Sequence, residues 1–167
     1  PFLGVSNRIS NAWGMGLAVM FVMVIASIVT TLLYQTVLVP FEITYLRTIA
    51  FILVIASLVQ IVEIMLQRFG GALYHALGIY LPLITTNCAI LGLAILNVDS
   101  GRSLIASIVF ALGAAVGFTI ALVIMAGIRE RLAMADVPDP FKGAPIALVV
   151  AGLLSIAFLG FSGLVKF

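Results

Sequence analysis

The sequence from residue 81 to residue 89 reads Leu81-Pro82-Leu83-Ile84-Thr85-Thr86-Asn87-Cys88-Ala89. This stretch lies within a long apolar segment, yet it does not favour an uninterrupted helix. Pro82 lacks the backbone N–H that a helix interior needs, and the three polar residues before Cys88 are better helix caps than interior residues. The stretch therefore predicts a broken helix, with one half ending near Leu83 and the other starting near Cys88.

The segment around the break is one of five apolar segments that could cross a bilayer, which takes about 20 residues each. Hydrophobic residues make up 64% of the 167 residues and charged residues only 8%, whereas a soluble domain carries roughly 25% charged residues. The five segments are connected by short turns and run approximately over Ala12–Val37, Thr48–Leu66, Leu73–Leu96, Ser103–Ile128 and Ala144–Leu164.

This composition predicts an all-α fold, a polytopic bundle of membrane helices that forms a single domain over residues 1–167. Eight Lys/Arg and six Asp/Glu residues cannot form the polar surface of a soluble domain. The net charge of +2 is too small to predict nucleic-acid binding. We find no nucleotide-binding loop, hydrolytic triad or metal-spaced histidine cluster, so no catalytic residue is predicted.

Cys88 is the only cysteine, so a thiolate metal site would need further ligands from outside this sequence. The half-helix from Cys88 to Leu96 is about 14 Å long, about half of the hydrocarbon thickness, which predicts Cys88 near the bilayer midplane. A helix N-terminus stabilises negatively charged sulfur. Irregular backbone at this depth must be covered, so Cys88 is expected to face a protein partner or a repeat interface. Judged from the residue type alone, a single buried cysteine is more commonly a structural residue than a metal ligand.

The order of the segments predicts an internal repeat, because a broken segment followed by two long helices occurs twice. Residues 49–53 and 146–150 are also similar, Ile-Ala-Phe-Ile-Leu and Ile-Ala-Leu-Val-Val. Three spans per repeat is an odd number, so the two copies would have inverted topology. The first copy is predicted over about residues 1–70 and the second over about 71–167. The repeat also predicts a span before Pro1, which makes five spans here and six in the full protein.

The distribution of basic residues predicts the orientation in the membrane. One side collects five of the eight basic residues, which places the Pro1 end and the 129–143 loop in the cytoplasm and Phe167 outside. The five are Arg8, Arg68, Arg129, Arg131 and Lys142, against Arg47, Arg102 and Lys166 on the other side.

Several motifs together resemble one family of membrane proteins, the NqrDE/RnfAE membrane subunits. The stretch at residues 81–89 is similar to the signature of this family. Arg129-Glu130-Arg131-Leu132 followed by Ala135-Asp136-Val137-Pro138 is similar to its RnfA branch, as are residues 45–48 and 160–166. The resemblance covers essentially the whole sequence, and the motifs are specific.

The resemblance implies a six-helix subunit of an ion-translocating ferredoxin:NAD oxidoreductase in the bacterial inner membrane. It implies pairing with the homologous RnfE-type subunit of opposite topology, within a complex of further subunits. The pair is expected to hold one [2Fe-2S] cluster, with two cysteines from each subunit. Cys88 matches one ligand, and the second is expected directly before Pro1, which this chain lacks. Thr85, Thr86 and Asn87 would form the surroundings of the cluster.

Glu63 is an ionisable residue within an apolar span, and such residues are functional candidates by default. Gln60 lies on the same helix face. One interpretation is an ion or proton site at these two residues. The other is a carboxylate near the cytoplasmic end of the helix that either pairs with Arg68 or extends to the membrane surface. The small residues at 113–117 predict close helix packing.

Two other functions fit the residues. A small secondary transporter, with its ion site near Glu63, would also use inverted repeats and broken helices at the midplane. A structural scaffold for neighbouring redox subunits would need no metal at Cys88. Iron content distinguishes the transporter from the electron-transfer subunit, and replacement of Cys88 distinguishes the scaffold.

Overall fold

The chain is described from a computed structural model, which covers residue 6, residues 8–69 and residues 81–163. All regular elements in these ranges are helical. The α-helices are α1 (Ile9–Leu33), α2 (Arg47–Phe69), α3 (Leu81–Thr85), α4 (Cys88–Asp99), α5 (Leu104–Ala133) and α6 (Ala144–Leu159). A π-helical turn (Tyr34–Leu38) extends α1, and shorter 3₁₀ turns lie at Thr44–Leu46, Asp139–Phe141 and Gly160–Gly163.

Three helical segments are long and apolar enough to cross a membrane, namely Ile9–Leu38, Thr44–Ile64 and Leu104–Ala133. Two shorter apolar segments are Leu83–Asp99 and Ala144–Leu159. The predicted all-α membrane fold is therefore confirmed. The two-copy repeat, its boundaries and the sixth span stay predictions, and the predicted segment over residues 73–80 and the chain beyond residue 163 lie outside the described residues.

The predicted helix break is present between α3 and α4, and α4 begins at Cys88 as expected. The predicted end of the first half near Leu83 was wrong by two residues, because α3 continues to Thr85. The backbone N–H of Asn87 donates to the Ile84 carbonyl at 3.1 Å. This bond closes a tight turn after Thr85, so the chain leaves the helix later than the polar residues alone indicate.

The core of the bundle forms where α1 packs along α5, with α4 against α1 and with α2 covering α3 and α4. The side chains that α1 and α5 bury are mostly small or flexible, which allows close approach of the two helices. They include Ala12, Met15, Val19, Met23 and Ala26 from α1, and Ala111, Ala115, Leu122 and Ala126 from α5.

Helix α1 lies close to α5 at Gly16. A Cβ atom at Gly16 would lie 2.5 Å from Thr119 Cγ2 and 2.8 Å from Thr119 Oγ1. Among the small residues predicted to pack, Ala115 is fully buried. The predicted packing is not formed within the described part of this chain at Gly113 and Gly117, since both are exposed and have no heavy atom within 4 Å of an added Cβ. Their side of α5 faces away from the core.

Substitution of Gly16 by alanine is therefore expected to destabilise the protein by about 1–3 kcal/mol, the usual effect of overpacking. Thr119 is β-branched and its hydroxyl donates to the Ala115 carbonyl at 2.8 Å, so it cannot easily move aside. Denaturant unfolding in detergent micelles measures the difference. Gly113→Ala is the matched control and should be neutral or slightly stabilising. Adding Thr119→Ser to Gly16→Ala removes the closer methyl group and should restore part of the stability, whereas no recovery would contradict the clash.

Candidate functional site

The break between α3 and α4 is organised by Asn87. Its side-chain oxygen accepts a hydrogen bond from the Ala89 backbone N–H at 3.1 Å, which caps α4. Its backbone carbonyl accepts from the Ile90 N–H at 3.2 Å. Both bonds satisfy donors that the first turn of a helix leaves without partners. The capping pattern that the sequence predicted is thus carried by Asn87.

Cys88 is in the first turn of α4, as predicted, and is exposed in the chain. It opens onto a cavity of about 300 Å³ between the break and α2. The cavity brings together the four residues predicted as ligand and surroundings, Thr85, Thr86, Asn87 and Cys88, and is completed by Ile52, Ile55, Ala56 and Leu91. One wall is therefore polar and the other, from α2, is apolar.

The Asn87 amide nitrogen is a buried donor beside Cys88. Asn87 is 4% exposed, and its Nδ2 has no hydrogen-bond partner within the described part of the chain. The orientation of the amide is fixed, because the oxygen is used in the cap. A buried N–H without an acceptor is costly, so an acceptor from outside these residues would stabilise the site. Together with the positive end of α4, this donor favours a negatively charged ligand.

Glu63 and Gln60 do not line the Cys88 cavity. Gln60 is exposed at the end of a shallow groove of about 400 Å³ along α2, which shares Ile52 and Ala56 with that cavity. Glu63 is half-buried and lies seven residues after Ala56, which places it on the same face of α2 about 10 Å further along the axis. The ion pair of Glu63 with Arg68, one of the alternatives for this residue, is not formed among the described residues.

The charged residues at the far end of α4 form contacts of their own. Arg47, at the start of α2, forms an ion pair with Asp99, at the end of α4. Arg102 donates to the Leu96 carbonyl at 3.1 Å, and its guanidinium carbon lies 4.0 Å from the centroid of the Phe110 ring. In the described ranges, no three His, Cys, Asp or Glu side chains are close enough to hold a metal ion.

A buried hydrogen-bonded network that joins three helices was not predicted from the sequence. The Asn97 amide of α4 donates to the Ser27 hydroxyl of α1 at 2.9 Å, and that hydroxyl donates to the Ser107 carbonyl of α5 at 3.1 Å. All three residues are at most 1% exposed. Asn97 is a polar residue in an otherwise apolar half-helix, and that signal could have identified it.

Comparison with known families gives a match over nearly the whole chain. The family model described as "Rnf-Nqr subunit, membrane protein" matches residues 1–165. This match includes the break, the Cys88 cavity and the loop after α5.

Similar proteins are found in several bacteria, each named as the A subunit of an ion-translocating oxidoreductase complex. The relative from Syntrophotalea carbinolica is 59% identical over 165 residues, which is 99% of this chain and 86% of the relative. The relative from Pseudoalteromonas translucida is 56% identical over 167 residues, covering 100% and 86%. The relative from Shewanella oneidensis is 55% identical over 166 residues, covering 99% and 86%.

Proposed function

Because the chain belongs to the Rnf-Nqr family of membrane subunits, we propose that it is the A-type subunit of a redox-driven ion translocase. The complex is of the Rnf type, a ferredoxin:NAD oxidoreductase, and this subunit carries electrons within the membrane. Cys88 is one ligand of a [2Fe-2S] cluster that is shared with the homologous RnfE-type subunit. The chain is thus a part of an enzyme and has no substrate site of its own.

One observation carries the proposal. Cys88 is exposed at the start of a half-helix, on a cavity whose only buried donor without a partner in the described residues is the Asn87 amide. Iron–sulfur clusters are bound by cysteine thiolates, and their sulfur atoms accept hydrogen bonds that tune the reduction potential. The residues present therefore fit such a cluster, with Cys88 as ligand and Asn87 as donor.

The residues around Cys88 have distinct roles in this proposal. The cluster supplies one-electron transfer when it is bound. Asn87 holds the first turn of α4, so that its positive end points at the negative charge of the site. Ile52, Ile55 and Ala56 supply an apolar wall that keeps water away and lowers the local dielectric constant. Asn87 thus orients the ligand, and α2 shields it.

A small secondary transporter is the second candidate function. It is favoured by Glu63, a half-buried carboxylate in the apolar helix α2, close to the groove that contains Gln60. Polar residues on such a helix face mark ion pathways in membrane proteins. In the translocase, the same two residues would form an ion site that works together with the redox site.

The partners in this proposal are the RnfE-type subunit, the other subunits of the complex and the lipid of the bacterial inner membrane. The Pro1 end is placed in the cytoplasm and the C-terminus in the periplasm, on the basis of the five basic residues on one side and three on the other. A reporter that is active only in the cytoplasm should be inactive when it is fused after Phe167. An active fusion would reverse the orientation.

The decisive experiment is purification of the complex without oxygen, followed by measurement of iron content, visible absorption and the electron paramagnetic resonance (EPR) spectrum after reduction. The proposal expects iron, colour and a [2Fe-2S] signal that depends on Cys88. Colourless, iron-free protein that still moves a solute would favour the transporter. Electron transfer that survives replacement of Cys88 would favour the scaffold.

A further inference from the structure

The rotation of α4 about its own axis decides where Cys88 points. Cys88 and Asn97 are nine residues apart in α4, which at about 100° per residue places them on opposite faces of the helix. Asn97 shares its face with Ile90, Leu93 and Ala94, and all four are buried. Burial of that face therefore directs Cys88 away from the core and into the cavity beside α2.

Hydrogen bonds at Asn97 fix this rotation. The Ser27 hydroxyl has one proton, which it donates to the Ser107 carbonyl, so its oxygen can accept from the Asn97 amide. This chain of two bonds determines which way the amide faces and connects α4 to both α1 and α5. Because the Asn97 bond forms in an apolar interior, an alternative rotation of α4 would remove the acceptor of the Asn97 amide, while the Ser27–Ser107 bond between α1 and α5 would remain.

The apolar residues of α4 alone specify its rotation weakly. The helix is apolar on nearly every side, and Leu91 and Leu96 lie on faces other than that of Asn97. A rotated α4 would still bury leucine, isoleucine or alanine side chains. A single buried asparagine is known to specify the register of otherwise apolar helices. Asn97 is the residue in α4 that can do so here.

The second attachment of α4 is weaker. Asp99 is eleven residues after Cys88 and lies on nearly the same face, where it pairs with Arg47 of α2. Both side chains are more than a third exposed, and exposed ion pairs contribute little to stability. The buried bond on the Asn97 face therefore has the larger effect on the rotation.

We propose that Asn97 is a positioning residue, which sets the rotation of α4 through Ser27 and so holds the Cys88 sulfur in the cavity. The functional value of this position rests on the proposed function, because the cluster needs the sulfur at the surface that meets the partner subunit. The positioning itself concerns only the thiol and can be measured without the cluster.

The test uses the intact membrane complex with Asn97→Leu, which keeps the branched shape and the number of side-chain heavy atoms and removes the amide. After iron is removed with a chelator, a small thiosulfonate reagent modifies Cys88, and mass spectrometry of the peptide gives the rate. We expect modification about fivefold slower than in the unchanged complex, because α4 then turns the sulfur towards the core for part of the time. A fivefold slowing means that the rotated state is populated for about 80% of the time. The reduced complex with iron should also have altered EPR g-values.

Thr30→Val is the matched control. Thr30 is buried in α1 near Ser27, but its hydroxyl donates to the Ala26 carbonyl of its own helix and does not hold α4. In this variant, Cys88 should be modified at the same rate as in the unsubstituted complex, and the EPR spectrum should be the same. Where Asn97→Leu does not assemble, Ser27→Ala removes the acceptor of the same bond and should give the same slowing.

The two proposals fail in different ways. An unchanged or faster rate in assembled Asn97→Leu complex, or an equal slowing in Thr30→Val, overturns the positioning role. If the complex without any substitution contains no iron and has no EPR signal, the proposed function is overturned. The modification rates of Cys88 still decide the role of Asn97. Asp99→Asn should slow the reaction less than Asn97→Leu, and the reverse order would assign the rotation to the ion pair instead.

Discussion

A complex that carries Cys88→Ser is expected to assemble and to lose the proposed [2Fe-2S] signal, the iron of that cluster and its electron transfer. Serine has nearly the same size, so the cavity and the capped start of α4 should be retained. Iron–sulfur clusters depend on thiolate ligands, and a serine oxygen is a poor replacement. Loss of a direct ligand should exceed the roughly 10–100-fold effects that follow from changes to outer-shell partners. Iron analysis, EPR and the rate of ferredoxin-dependent NAD reduction measure the loss.

Two further variants make this result specific. Cys88→Ala removes the sulfur without adding an oxygen and should behave like the serine variant. Thr36→Ser, at an exposed position whose hydroxyl donates within its own helix at 2.7 Å, should retain the full signal. Size-exclusion chromatography establishes that each complex is assembled. A native EPR signal with full iron content in Cys88→Ser would show that Cys88 is not a ligand.

Replacement of Glu63, the proposed ion site, by glutamine is expected to reduce ion movement strongly while electron transfer continues. Glutamine keeps the shape and hydrogen-bonding reach of the side chain but removes the negative charge that a cation needs in an apolar span. An interaction with a charged group contributes about 1.5–3 kcal/mol, so cation affinity should fall by about 10- to 100-fold. Ion uptake by vesicles that contain the complex, measured together with NAD reduction, separates the two activities.

Glu42→Gln is the matched control for this experiment. Glu42 is exposed and lies between the first two spans. Its replacement by glutamine therefore removes the same negative charge outside the apolar segments. It should leave both activities unchanged. Ion uptake that continues at the normal rate in Glu63→Gln would exclude Glu63 as an ion site and leave the interpretation of a carboxylate near the helix end.

The fold class and the break in the third segment could be predicted because both depend on local chemistry. The length and apolar character of a segment decide whether it can cross a bilayer, and no distant residue changes this. Asn87 caps α4 through atoms two and three residues away. Cys88 could therefore be placed at the first turn of a half-helix from the sequence alone.

The direction in which Cys88 points could not be predicted in the same way. It depends on hydrogen bonds between residues that are 70 and 80 positions apart in the chain. Nothing near Asn97 in the sequence identifies Ser27 as its partner. The apolar cavity wall from α2 likewise depends on tertiary packing.

The side of α5 that packs within the chain could not be predicted for a related reason. Its residues are apolar on every side, so no polar face marks the side that is exposed. Small residues at 113–117 are typical of helix contacts, and Ala115 is indeed buried. Gly113 and Gly117 are on the opposite side of α5. This becomes apparent only from the packing of α1, whose Gly16 lies against Thr119.

Ile52 and Ala56 have a consequence for coupling, because they line both the Cys88 cavity and the groove that ends at Gln60. Any tilt or translation of α2 must change the shape of the cavity and of the groove together. If an electron arriving on one side displaces α2, the affinity for a cation on the other side changes, and by thermodynamic reciprocity the bound cation shifts the midpoint potential by the same free energy. A single shared helix would then be sufficient to link charge transfer to ion movement, without direct contact between the two species.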